Sequence, residues 1–104
     1  MTAKEPKIHY VVLHRPGPAW QTGVDFRAQP GIMEHVGHFA KLGEQSKVLM
    51  GGPILIQDRG GMMVFTNEVT QEEAEALAAA DPAVESGLLL YEVTPWFVPI
   101  QAEG

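Results

Sequence analysis

Residues 34 to 42 read EHVGHFAKL, and two of the chain's four histidines stand there three positions apart. An imidazole can act as a proton acceptor near neutral pH or as a metal ligand. The chain has no cysteine. That excludes disulfides, thiolate nucleophiles and cysteine-type zinc sites, and leaves the chemistry to histidines and carboxylates. A zinc ion needs three or four protein ligands. EHVGH is not HExxH, no second histidine-rich cluster follows, and Glu34 points away from His35 on a helix. No metal site is expected. A general base needs one imidazole and a group to orient it. Asp58, just beyond GGPILIQ, is the best orienting candidate and His35 the best base. A plainer alternative stays open for each: His35 as a core-edge histidine satisfied by a backbone carbonyl, and Asp58 as a turn residue capping QDRGG.

Other residues could line a pocket around such a pair. His14 and Arg15 close the first apolar run beside a long Gly- and Pro-rich connection, and Arg15 could take a substrate anion. Trp20 could stack on an aromatic ligand. Gly52 and Pro53 offer bare backbone beside Asp58 and complete the candidate binding residues. Ser46 and Ser86 have no visible base partner, so a serine nucleophile is not expected. No cofactor-binding motif is visible, which favours lyase, isomerase or hydrolase chemistry over redox chemistry.

The elements that must carry these residues follow from periodicity. IHYVVLH (8–14) is β-branched and aromatic, and reads as a strand apolar on both faces. Residues 15–31 form a long connection. Pro30 suits the first turn of a helix that runs to about Ser46, with an apolar stripe of Ile32, Val36, Phe39 and Gly43. On that wheel His35 falls at the stripe's edge, and His38 lies about 60° further out, toward solvent. KVLMGGPILI (47–56) is a strand broken at Gly51, Gly52 and Pro53. QDRGG turns the chain into GMMVFTN (61–67), which makes a hairpin. TQEE (70–73) is a capping box that opens a second helix. DPAVESG (81–87) stops that helix, and LLLYEVTPWFVPI (88–100) is the last strand. The order β-α-β-β-α-β predicts an α+β, ferredoxin-like fold with helices on one face of an antiparallel sheet. The apolar opposite face then calls for cover, so a homodimer with sheets packed face to face is expected.

The chain has 104 residues, enough for one domain and too few for two. Its net charge of −6 argues against nucleic acid as a partner. No apolar run is long enough to cross a bilayer and the start carries no signal-peptide pattern. A cytoplasmic protein acting on a small molecule is the expectation.

The motifs also stand in a telling order. A histidine lies near the start of the first helix, GGP ends the second strand, and an aspartate and a Gly-containing turn follow. Then come a T-x-E-E-A helix start, DP-x-x-x-x-G, and a last strand carrying PW. In this the chain resembles the YciI-like family from IHYVVLHRPGPAW to VTPWFV. The resemblance implies a ferredoxin-like fold that dimerises into an α/β barrel. It also implies a His-Asp active site which, by spacing to Gly52-Pro53, corresponds to His35 and Asp58. One branch of that family is linked to dehydrochlorination of a chlorinated hydroxyquinol, a reaction that suits such a dyad. The first loop, PGPAWQTGVDFRAQPG, is longer than in the shortest members. The competing expectation is a non-catalytic ligand-binding protein on the same dimer scaffold.

Overall fold

The computed structural model describes residues 7–102. Strand β1 (Lys7–Pro16) is followed by a 3-10 turn at Phe26–Ala28 and helix α1 (Ile32–Glu44). Strands β2 (Val48–Pro53) and β3 (Gly61–Phe65) form the predicted hairpin. Helix α2 (Gln71–Ala79), a one-turn helix α3 (Pro82–Glu85) and strand β4 (Leu89–Val98) complete the chain. The sheet order is β2-β3-β1-β4 with antiparallel neighbours. This is the ferredoxin-like α+β arrangement.

Parity along β1 divides the sheet into two faces. Val12 is fully buried in a core with Phe39 and Leu42 of α1, Phe65, Val69, and Ala74 and Ala78 of α2. Its even-numbered neighbours Tyr10 and His14 therefore share the helix side. The odd-numbered residues face away, and the register sets Trp96 opposite His9 and Leu90 opposite Arg15. On this second face Leu13, Met50, Leu90 and Trp96 remain between 40% and 63% exposed.

Several local expectations shift. Pro30 lies outside α1, and Gly31, in the left-handed region at φ 88°, is the N-cap instead. The buried stripe of α1 is His35, Phe39 and Leu42, while Val36 is 47% exposed. The buried stripe is therefore rotated by about 60° from the expected one, and His35 sits within it. Only half of the predicted capping box forms. Thr70 accepts from the Glu73 N–H at 3.1 Å, but the Glu73 carboxylate accepts from Lys47 Nζ at 2.7 Å rather than reaching back. DPAVESG does stop α2, yet it also starts α3. Asp81 is the N-cap and Pro82 takes the first helical position, where its missing N–H costs nothing.

The hairpin's return depends on Gly60, which has φ 94° and lies against the backbone of His14 and Arg15. A Cβ there would run into the His14 carbonyl. Gly60→Ala is expected to destabilise the fold by roughly 2–4 kcal/mol, from backbone strain and overpacking together. Chemical denaturation of the variant against the parent measures it; a loss below about 0.5 kcal/mol would contradict this account of the hairpin.

Candidate functional site

His35 reaches the interior because α1 turns its fourth residue onto the sheet, where it is 7% exposed. Its Nδ1 lies 2.6 Å from Oδ2 of Asp81, which is fully buried. The other oxygen of Asp81 accepts the Ala83 N–H at 2.9 Å, the capping bond of α3. One carboxylate thus starts a helix and orients an imidazole. Burial works against ionisation of Asp81. The hydrogen bonds from His35 and from the Ala83 N–H, with the nearby charges of His35 and His14, outweigh it and hold the carboxyl below its usual range. An ionised carboxylate only accepts, so Nδ1–H of His35 donates and Nε2 is the nitrogen left free to act as a base.

His14 arrives from β1, with Nε2 at 3.7 Å from Asp81 Oδ2. Its ring stands edge-on to His35 and Phe39, with centroids 4.9 Å and 5.5 Å away. Both its ring nitrogens are buried without a hydrogen-bond partner among the described residues. Burial first, and then the neighbouring His35, push its pKa down to about 4, so His14 is neutral at pH 7. Ligating atoms of His14, His35 and Asp81 lie within 4.8 Å of one another. Two imidazoles and a carboxylate could in principle hold a divalent cation. The 2.6 Å His35–Asp81 contact is a hydrogen bond, however. Ligands around zinc sit roughly 3.4 Å apart, given bonds of about 2.1 Å, so the pair would have to open.

Beside this cluster lies a cavity of about 350 Å³. His14 and His35 line it together with Trp20, Phe26, Phe39, Met62, Met63, Gly52, Pro53 and Gly60. Among the described residues, no Asp, Glu, Lys or Arg lines it. Of the residues singled out by sequence, His14, Trp20, His35, Gly52 and Pro53 thus meet around one space.

Two do not take the expected places. Arg15 is exposed and, by strand parity, faces away from the cavity. Asp58 does not pair with His35. Its Oδ1 accepts from Trp20 Nε1 at 2.8 Å, and both its oxygens accept from the Gly23 N–H at 3.1 Å and 3.2 Å. The hairpin tip carries it to the first loop instead. His38 is not a solvent-facing residue either, since its Nε2–H donates to the Leu77 carbonyl at 2.8 Å. Sequence reasoning missed Asp81, whose Asp-Pro pair signals an N-cap as well as a helix stop. It also missed Gln29, 3% exposed, whose amide bonds Gln21 and Val24 and folds the first loop on itself.

The histidine cluster makes stability sensitive to acid. Unfolded His14 takes a proton near 6.5 and folded His14 only near 4. The unfolded chain therefore binds more protons between those values, and stability falls as pH drops through that window. The expected loss is about 3 kcal/mol. Asp81, depressed in the fold, adds its own loss only below the usual carboxylate range. Urea unfolding across pH 4 to 7 should show this limb, and His14→Phe should flatten it. A limb unchanged by that substitution would assign the acid sensitivity elsewhere.

The geometry can be set beside known proteins. No curated protein sequence matches the chain. Among solved structures it is similar to the 5-chloro-2-hydroxyhydroquinone dehydrochlorinase of Burkholderia phenoliruptrix, in a complex with 2,5-dihydroxybenzoquinone. The TM-score is 0.57 at 20% identity, over 85% of this chain and 92% of that one. At that identity the likeness concerns the fold. The family model of the YCII-related domain matches residues 8–97, which include the histidine pair, both aspartates and every strand but the outermost ends of β1 and β4. The chain belongs to the YCII-related (YciI-like) family.

Proposed function

We propose that this protein is a small cytoplasmic enzyme of one domain that uses His35 as a general base, oriented by Asp81, on a compact and largely apolar molecule. The observation that carries this reading is the 2.6 Å contact between His35 Nδ1 and a buried carboxylate, made at the wall of an uncharged cavity. Asp81 fixes the Nδ1–H tautomer and stabilises the imidazolium formed when Nε2 takes a proton. A weakly acidic O–H or C–H group is the natural donor. The electron pair left behind forms a new double bond and expels a leaving group such as chloride, and His35 then returns its proton to water. His14, neutral and unpaired, offers a ring nitrogen for a hydroxyl or carbonyl of the ligand. The similar fold of a dehydrochlorinase that binds a quinone supports an aromatic or quinoid substrate. The cytoplasmic placement rests on the acidic, cysteine-free composition.

The test is turnover of chlorinated hydroxyquinols and related phenols, followed by absorbance and chloride release. His35→Ala and Asp81→Asn should each lower kcat/KM by roughly 100- to 10,000-fold, the range of positioned acid–base catalysis. Nitrogen-15 NMR should find His35 in the Nδ1–H tautomer in the parent protein. Normal turnover by both variants would end the proposal. A ligand bound with no product formed would favour a binding protein on the same scaffold.

The reading includes a homodimer joined through the sheet face away from the helices. Leu13, Met50, Leu90 and Trp96 form an exposed apolar surface there, which water disfavours. Light scattering should give twice the chain mass at micromolar concentration, and Leu13→Glu with Met50→Glu should give the single-chain mass. A monomeric parent protein would overturn the dimer.

A further inference from the structure

We propose that Asp58 is a positioning residue: through Trp20, its carboxylate fastens the 17–31 loop to the tip of the β2–β3 hairpin and so sets one wall of the cavity. This rests on the reading of that cavity as a ligand site. The loop is a unit in itself. The buried Gln29 amide accepts from the Gln21 N–H at 2.9 Å and donates to the carbonyls of Gln21 and Val24 at 2.8 Å and 2.9 Å. Its attachment to the hairpin is narrower. Among the described residues, every hydrogen bond between loop and hairpin tip uses the side chain of Asp58 or of its neighbour Gln57, which donates to the Val24 carbonyl at 2.9 Å.

The backbone is shaped to present this carboxylate. Asp58 has φ 59°, in the left-handed region where Asp and Asn are the side-chain-bearing residues best tolerated. The Arg59 N–H bonds back to the Ile56 carbonyl at 3.2 Å and closes the turn that holds it there. Trp20 carries the effect inward. Trp20 lines the cavity and also packs against the small buried cluster that Ala83 forms with Leu88 and Leu89. Ala83 belongs to α3, the helix that Asp81 caps. A half-buried carboxylate at the hairpin tip is thereby connected, through one indole, to the helix that fixes the fully buried one. The Asp58–Gly23 bonds lie open to water, where hydrogen bonds open most readily, so this attachment is where the wall would part to exchange a ligand.

Hydrogen exchange of the Trp20 indole N–H, followed by NMR in the ligand-free protein, tests the role directly. Trp20→Phe identifies the resonance. Asp58→Gly removes the carboxylate without straining φ, and Asp58→Asn keeps a carbonyl oxygen to accept from the indole. Exchange should accelerate by about tenfold in Asp58→Gly, the equivalent of one lost hydrogen bond, and stay within about threefold in Asp58→Asn. The coloured aromatic diol 4-nitrocatechol serves as the cavity probe, and its dissociation should follow the same order, faster from the Gly variant and restored by Asn. The His35 tautomer should be the same in all three proteins. Parent-like indole exchange in Asp58→Gly would overturn the proposal. So would faster exchange with unchanged probe dissociation, because the wall would then not depend on Asp58. If the parent protein did not bind the probe, the ligand-site reading would lose its support, while the exchange rates would still decide whether Asp58 holds Trp20.

Discussion

A carboxylate with no exposure to water lies at the centre of this structure, and the arrangement around it follows from the need to satisfy it. Removing an ionised group from water costs several kcal/mol unless donors replace the lost hydration. Asp81 finds them in two directions, the Ala83 N–H at the start of α3 and the Nδ1–H of His35 across the helix layer. Each bond fixes a different element. The first sets where the chain turns after α2, and the second sets how α1 must rotate to bring His35 inward rather than Val36. Once α1 is so rotated, Phe39 and Leu42 fall into the core and the helix packs against β1. The same contact that would orient a base therefore also selects the helix face that is buried.

The two aspartates show how environment divides one side-chain type into two roles. Asp81 is enclosed, bonded to a titratable ring, and adjacent to a second imidazole. Asp58 stands on a turn, bonded to an indole and to amides, none of which ionises near neutral pH. The hydrogen bonds from Trp20, Gln57 and Gly23 all favour its charged form and hold its carboxyl below the usual range. Such a group remains a fixed anion through the pH range in which an imidazole works, which suits an anchor better than a proton carrier.

The fold was legible because its signals are local. Alternation in IHYVVLH, turn chemistry in QDRGG and the Thr70 cap each act within a few residues, and together they order the strands and helices. His35 was legible as well, since helical spacing alone carries it toward the apolar side. Its partner was not. Asp81 lies 46 positions away, and nothing in DPAVESG marks it as more than a helix boundary. Asp58 was favoured for its closeness to Gly52 and Pro53, and those residues do line the cavity. The positive φ at Asp58 then sends its carboxylate to Trp20 and Gly23. Side-chain direction at a turn depends on one dihedral that sequence does not show, which is why the neighbourhood was read correctly and the contact was not.

The second imidazole limits how many protons the cluster can hold. An ionised Asp81 beside two neutral rings carries one negative charge. A proton taken by His35 would bring the formal charge of the cluster to zero. A further proton on His14 would face both burial and the charge now on His35, the two influences that lower its pKa most. The cluster is thus built to accept one proton at one ring. The other ring stays neutral, with a donor on one nitrogen and a lone pair on the other. Under the proposed function, that leaves His14 to recognise a ligand by hydrogen bonding while His35 handles its proton, two tasks that a single histidine could not perform together.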